Sequence, residues 1–181
     1  MNKKDTIENR LWSVAVHESG HIVALLSYHI TPYYVEINDS GGCTKCDYPN
    51  DWTMDKDDYV LLSGCVAESM SNGTFADVVE QVIAGEIPQG ASSDFSKLKM
   101  TDTQLIADTM LYIRDYFCNE RWSIVMEFAT ELLLHGELNK KAISAIADRL
   151  CGIEHDIGRI ARLMQRRKFF TYDELQNEEP I

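Results

Sequence analysis

Residues 15–23 read Ala-Val-His-Glu-Ser-Gly-His-Ile-Val, with His17 and His21 four positions apart and Glu18 directly after the first histidine. Residues four apart on a helix project from one face, so both imidazoles can reach a single ion. Glu18 lies one step round the helix, where its carboxylate can accept a proton from a water bound to that ion. Zinc lowers the pKa of such a water from about 16 to roughly 7. The segment therefore predicts a zinc site with Glu18 as catalytic base.

The alternative is that two histidines fall on one helix face by coincidence. Burying two histidines and a glutamate in an apolar helix costs free energy unless something pairs them, which favours the metal site. Catalytic zinc normally has three protein ligands and one open position. A third histidine one turn further on is excluded, because position 27 is serine. The third ligand is expected to be an aspartate or glutamate from elsewhere in the chain.

The rest of the sequence predicts a mainly α-helical (α+β) fold with one small β-hairpin. Apolar residues recur at helical spacing from about residue 7 to 29, and Pro32 marks the stop. Residues 33–37 are β-branched and aromatic, and the turn-forming residues 38–42 lead to a possible second strand at 43–48. Helices are expected over 56–70, 75–84, 102–118, 122–135 and 139–150, with a helix start at 92–94 and a last, basic helix over 156–168.

Composition limits the classes of partner. Acidic residues outnumber basic ones by 29 to 17, for a net charge of -12, so nucleic acid is not an expected partner. No apolar run approaches the roughly 20 residues that span a bilayer, and the N-terminus lacks the apolar core of a secretory signal. The five cysteines are odd in number and scattered. A cytoplasmic protein without a disulfide framework or a membrane association is expected.

Three segments resemble the protease domain of the FtsH-type AAA+ zinc metalloproteases, and they occur in that family's order and spacing. Residues 15–26 resemble its zinc helix. Residues 61–68, Leu-Leu-Ser-Gly-Cys-Val-Ala-Glu, resemble its Gly-Arg-Ala-Ala-Glu helix. Residues 90–95, Gly-Ala-Ser-Ser-Asp-Phe, resemble its Gly-Ala-Ser-Asn-Asp-Leu segment, whose aspartate is the third zinc ligand. The resemblance covers roughly residues 10–150 and implies a helical, zincin-like metalloprotease domain with Zn²⁺ as cofactor and Asp94 as third ligand.

The chain also departs from that family's pattern. No segment corresponds to the family's ATPase or membrane anchor, so a stand-alone protease domain is expected. Ser19 replaces an alanine, Cys65 an arginine and Ser93 an asparagine. These changes leave the expected zinc ligands intact. They leave open whether the hexamer contacts and the regulation of that family apply to this chain. The oligomeric state is left open.

Glu68 and the Cys43-Thr44-Lys45-Cys46 segment each have two interpretations. Glu68 either orients His17 or His21 through the far ring nitrogen or is a surface residue of an amphipathic helix, and the resemblance favours the first. The two cysteines are interpreted as ordinary hairpin residues rather than half of a structural zinc site or a redox pair. No second cysteine pair exists in the chain, and residues three apart on a strand face opposite sides.

The domain prediction is a zinc metallopeptidase domain over residues 1–150, followed by a helical extension and acidic tail over 151–181. The basic run at 159–168 either docks an acidic partner or is a solvated helix face. The three tryptophans, Trp12, Trp52 and Trp122, are expected to pack in the core or at its edge.

The predicted function is hydrolysis of peptide bonds by a zinc-activated water, with Glu18 as general base. Unstructured polypeptide segments or one dedicated protein are the expected substrates, and a separate ATPase could deliver them. The strand over 33–37 is a candidate for pairing with an extended substrate. His135, His155 and several tyrosines are candidates for stabilising the oxyanion. The alternatives are a non-cleaving zinc-containing regulatory module that binds a protease or ATPase, and a zinc hydrolase acting on another carbonyl.

Overall fold

The structure is a computed structural model that describes the backbone of residues 3–150 and the side chains of residues 9–150 except 119 and 120. The predicted extension and basic helix beyond residue 150, with His155, lie outside the described residues. Within them the chain is mainly helical with one small antiparallel sheet, as predicted. The helices are α1 Lys3–Ser27, α2 Met54–Asn72, α3 Phe75–Ile83, α4 Ser92–Phe95, α5 Thr103–Tyr116, α6 Trp122–His135 and α7 Lys140–Arg149; the strands are β1 Tyr34–Asn38, β2 Gly41–Lys45 and β3 Glu137–Asn139.

Helix α1 ends through a backbone motif rather than through the proline alone. His29 adopts a left-handed conformation with φ of 61°. Its N–H donates to the carbonyl of Leu26, and the N–H of Ile30 donates to that of Leu25, both at 3.0 Å. This is the Schellman arrangement, which glycine usually supplies. The chain therefore leaves α1 before Pro32, and residues 28–33 connect it to β1.

The sheet has the order β2-β1-β3, with both pairs antiparallel. The hairpin of β1 and β2 was predicted, whereas β3 was not. Val35 pairs with Thr44 on one side and with Leu138 on the other. The prediction that residues 33–37 offer a free edge to an extended substrate is therefore wrong, because both edges of β1 are occupied by strands of the chain itself. The edge strands of this sheet are β2 and β3.

Helix α1 is the centre of the molecule and packs mainly against α2 on one side and α6 on the other. A Cβ on Gly20 would lie 2.4 Å from the backbone oxygen of Ser63, so the glycine lets α1 and α2 approach closely. Helices α5 and α6 are joined by a π-helical turn, Phe117–Arg121. Trp12, Trp52 and Trp122 pack against the core, as expected. None of the helices described between residues 3 and 150 combines the length and apolarity needed to cross a bilayer.

Candidate metal centre

The site face of α1 is buried against α2, β2 and the segment that carries α4. His17, Glu18 and His21 are 8%, 5% and 7% exposed, although α1 presents them within an otherwise apolar stretch. Burial of this kind is stable only when the polar atoms find partners. Each of the three side chains has one.

His17, His21 and Asp94 converge on one point. The Nε2 atoms of His17 and His21 lie 2.9 and 3.4 Å from Oδ2 of Asp94. The three candidate ligand atoms all lie within 4.8 Å of one another, and no other set of His, Cys, Asp or Glu side chains in the described part of the chain is grouped in this way. Around a tetrahedral zinc with bonds of about 2.1 Å, neighbouring ligand atoms are roughly 3.4 Å apart. The residues present fit a zinc ion with one open position.

The far nitrogen of each ring has its own acceptor. His17 Nδ1 lies 3.0 Å from Oε2 of Glu68, and His21 Nδ1 lies 2.8 Å from the backbone oxygen of Val60. When Nδ1 carries the proton and donates it to these oxygens, the lone pair of Nε2 points to the common centre. The structure thus places Glu68 beside His17. The role of the Val60 carbonyl was missed, because a backbone oxygen leaves no signal in the sequence.

Gly64 makes room for the two rings. A Cβ at this position would lie 2.6 Å from Nε2 of His17 and 2.6 Å from Nε2 of His21. No side chain other than hydrogen fits there while both nitrogens keep their positions. The glycine of residues 61–68 is therefore part of the site.

Asp94 reaches the centre from the short helix α4, and α2 anchors the segment that follows it. Asp58 is 2% exposed and accepts hydrogen bonds from the backbone N–H groups of Lys99 and Met100, at 2.8 and 2.9 Å. Lys97 Nζ lies 3.7 Å from Oδ1 of Asp94. One oxygen of Asp94 thus faces the histidines, and the other faces a cation.

Glu18 contacts β2 instead of the histidine cluster. Thr44 Oγ1 donates a hydrogen bond of 2.7 Å to Oε2 of Glu18. A Cβ on Gly42 would lie 2.5 Å from both Cγ and Oε1 of Glu18. Strand β2 thus fixes the carboxylate from two directions, and Glu18 stays beside the three converging atoms without joining them.

The histidine–aspartate contacts shift the ionisation of both partners. Burial lowers the pKa of His17, but hydrogen bonds to Asp94 and Glu68 outweigh it and raise that pKa to about 10. Burial also opposes ionisation of Asp94, and its hydrogen bonds to His17 and His21 outweigh this and hold its pKa well below the usual range. Without a bound cation, protonated His17 and ionised Asp94 form an ion pair.

A cleft of about 740 Å³ opens over the site. Its lining follows α1 from Arg10 to Leu25, which is about 22 Å at the rise of an α-helix. An extended peptide of about six or seven residues has this length. Tyr48 lines the cleft, whereas His135 does not; His135 pairs with Glu131 at the end of α6 instead.

The four cysteines in the described part of the chain are not among the converging side chains. Cys43 and Cys46 are both free thiols, as are Cys65 and Cys118. Burial raises the pKa of the Cys65 thiol to about 12, which leaves it protonated. The interpretation of Cys43 and Cys46 as ordinary hairpin residues stays a prediction.

No protein-family model matches the chain, and no curated protein matches it. The functional argument therefore rests on the site itself.

Proposed function

We propose that this protein is a zinc-dependent metallopeptidase with a zincin-like catalytic domain. One observation carries the proposal: two imidazole Nε2 atoms and one carboxylate oxygen converge within 4.8 Å, beside a buried carboxylate that is not part of the set. A structural zinc site closes its coordination with four protein ligands and needs no adjacent base. The resemblance to the FtsH-type protease domain points to the same three ligands and the same base.

The chain divides the work of hydrolysis among separate residues. His17, His21 and Asp94 would hold the ion, which when bound lowers the pKa of a coordinated water and polarises the scissile carbonyl. Glu18 accepts the proton of that water and delivers it to the leaving amine. Glu68 and the Val60 carbonyl keep the imidazole rings in the orientation that ligation needs.

The cleft suits an extended, unstructured polypeptide. It is open along α1, and β2, one of the two edge strands of the sheet, lines it. An extended peptide can add to such an edge through main-chain hydrogen bonds. Substrates would be unfolded segments or a dedicated protein, and a separate ATPase could deliver them. The free thiols of the described cysteines favour a reducing compartment such as the cytoplasm.

The first experiment is metal analysis of the purified chain beside Asp94→Ala, with Asp77→Ala as the control. Asp77 is an exposed aspartate in the first turn of α3, so its removal leaves the cleft unchanged. We expect close to one zinc per chain in the wild type and in Asp77→Ala, and loss or weakening of binding in Asp94→Ala. If Asp94→Ala still binds one zinc per chain, Asp94 is not an essential ligand. A wild type that binds no zinc after reconstitution would refute the proposal.

The second experiment asks whether the site cleaves. Zinc-loaded wild type and Glu18→Gln are incubated with fluorescently labelled casein, an unstructured protein, and with peptide libraries. We expect hydrolysis by the wild type only, at equal zinc content and thermal stability. A natural role that survives Glu18→Gln would instead favour the non-cleaving zinc module.

A further inference from the structure

The hydrogen bond between Thr44 and Glu18 joins two elements that are far apart in sequence. Thr44 lies on β2 and Glu18 on α1, 26 positions away, yet Oγ1 and Oε2 are 2.7 Å apart. Gly42 and Thr44 are two positions apart on β2, so they share the face of the strand that meets Glu18. Glu18 is 5% exposed there, so its carboxylate depends on protein partners rather than on bulk water.

The contact distinguishes the two carboxylate oxygens. Oε2 accepts the hydrogen bond from Thr44, while Oε1 lies 2.5 Å from the position that a Cβ on Gly42 would take. The terminal torsion of a glutamate is broad, with no strong intrinsic preference for one orientation. A base that must meet one water within a fraction of an ångström needs that torsion fixed.

We propose that Thr44 is a positioning residue for Glu18: its hydrogen bond to Oε2 fixes the terminal torsion of the carboxylate that accepts a proton from the reacting water. The inference rests on the proposed function and adds to it a residue outside the set of candidate metal ligands. Gly42 contributes to the same arrangement. Because glycine has no side chain, the carboxylate of Glu18 occupies the space that a Cβ would take. Strand β2 thereby determines the orientation of the catalytic base.

A matched pair of variants isolates the hydrogen bond. Thr44→Val keeps the shape of the side chain and removes the donor, whereas Thr44→Ser keeps the donor. With zinc-loaded full-length protein and labelled casein, we expect Thr44→Val to lower kcat roughly 10- to 100-fold, with KM and zinc content unchanged. Thr44→Ser should stay within about threefold of the wild type. Equal activity of the two variants, or a loss that follows zinc content or melting temperature, would overturn the proposal.

A second measurement does not depend on peptide cleavage. Acetohydroxamic acid can chelate zinc as its anion after giving its hydroxyl proton to a neighbouring base, so its affinity reports on the placement of Glu18. By calorimetry, Thr44→Val should weaken its binding at least fivefold in the wild-type background and have no further effect in Glu18→Gln.

The two measurements separate this inference from the proposed function. An equal effect of Thr44→Val in both backgrounds would show that Thr44 acts independently of Glu18 and would overturn its positioning role. Zinc binding with coupled Thr44 and Glu18 effects, but without hydrolysis of any substrate, would support the positioning role and refute the peptidase. A chain that binds no zinc would overturn both.

Discussion

Three glycines have close neighbours that leave no space for a side chain, and the neighbours differ. Gly20 faces the backbone of Ser63, Gly64 faces the Nε2 atoms of His17 and His21, and Gly42 faces the carboxylate of Glu18. An added methyl group would therefore disturb the packing of α1 on α2 at Gly20, the two imidazole rings at Gly64, and the carboxylate of Glu18 at Gly42. The sequence alone does not distinguish these three glycines, whereas the structure shows which group each of them contacts.

Gly64→Ala and Gly42→Ala form a matched pair for separating metal binding from catalysis. In Gly64→Ala the new methyl would lie 2.6 Å from each Nε2, so we expect zinc affinity to fall by at least about 100-fold. In Gly42→Ala the methyl meets Glu18, so zinc should bind normally while hydrolysis is lost. Zinc titration and casein hydrolysis on both variants test this. Normal zinc binding by Gly64→Ala would contradict the position of the site.

Removing Glu18 gives the control for Gly42→Ala. Overpacking of this kind costs about 1–3 kcal/mol of stability. Because the contact is with the side chain of Glu18, Gly42→Ala should cost markedly less in a Glu18→Ala background. Chemical denaturation of the two single variants and the double variant measures the difference, and additive losses would show that Gly42 is small for another reason.

Glu68 should matter for metal affinity without binding the metal itself. It accepts from Nδ1 of His17 at 3.0 Å, and loss of such a partner typically costs 10- to 100-fold in affinity. We expect that loss in Glu68→Ala and a smaller one in Glu68→Gln, whose amide oxygen can still accept. Competition with a chromophoric zinc chelator measures the affinity. Unchanged zinc affinity in both variants would show that Glu68 does not affect metal binding.

The segment carrying Asp94 depends on an anchor in α2. Asp58 is buried and holds the backbone N–H groups of Lys99 and Met100. Asp58→Ala leaves both N–H groups without this acceptor, at a cost of about 1–3 kcal/mol. We expect lower stability and weaker zinc binding, since the third ligand is no longer held in place. Asp55→Ala, in the first turn of the same helix, is the control. If zinc affinity falls equally in both variants, the anchor has no special role.

The sequence predicts some of these elements well because their signals are local. Helix α6 spans Trp122–His135 as predicted, and its end at Gly136 and the N-cap of α7 at Asn139 are both local features of the sequence. Strand β3 has only three residues and no periodicity of its own; it exists because Leu138 pairs with Val35, about 100 positions away. The His17 and His21 pair can be read from one helix, whereas Asp94 came only from the family resemblance. Thr44 and the Val60 carbonyl depend on tertiary contacts that no spacing rule encodes.

The site links α1, α2, β2 and the α4 segment, but the apolar core does not depend on it. The core extends from α1 to α6 and α7 and includes large buried side chains such as Phe128 and Ile143, which do not line the cleft. Without zinc, the side chains of His17 and Asp94 pair directly with each other. The metal-free chain should therefore stay folded, unlike a zinc finger.

Zinc binding should release a proton from His17. The pKa of His17 is raised to about 10 in the metal-free protein, so the ring is protonated at pH 7.5. Because only the free Nε2 lone pair can ligate zinc, that proton must leave, and zinc affinity should fall as the pH is lowered. Calorimetric titration in buffers of different ionisation enthalpy counts the protons, and we expect about one per zinc from this source. Zinc binding without proton release would contradict the ion pair.

Zinc should also raise the melting temperature of the whole domain, because it binds the folded arrangement of residues from separate elements and not the unfolded chain. At a free concentration 1,000 times its Kd, a ligand adds about 4 kcal/mol, which corresponds to roughly 10 °C for a chain of this size. Thermal unfolding followed by circular dichroism, with chelator and then with zinc, measures the shift. In Asp94→Ala the helical signal should persist while the zinc-dependent shift disappears. A chain that loses its helical signal on chelation would show that the metal maintains the fold, and the core would then be insufficient by itself.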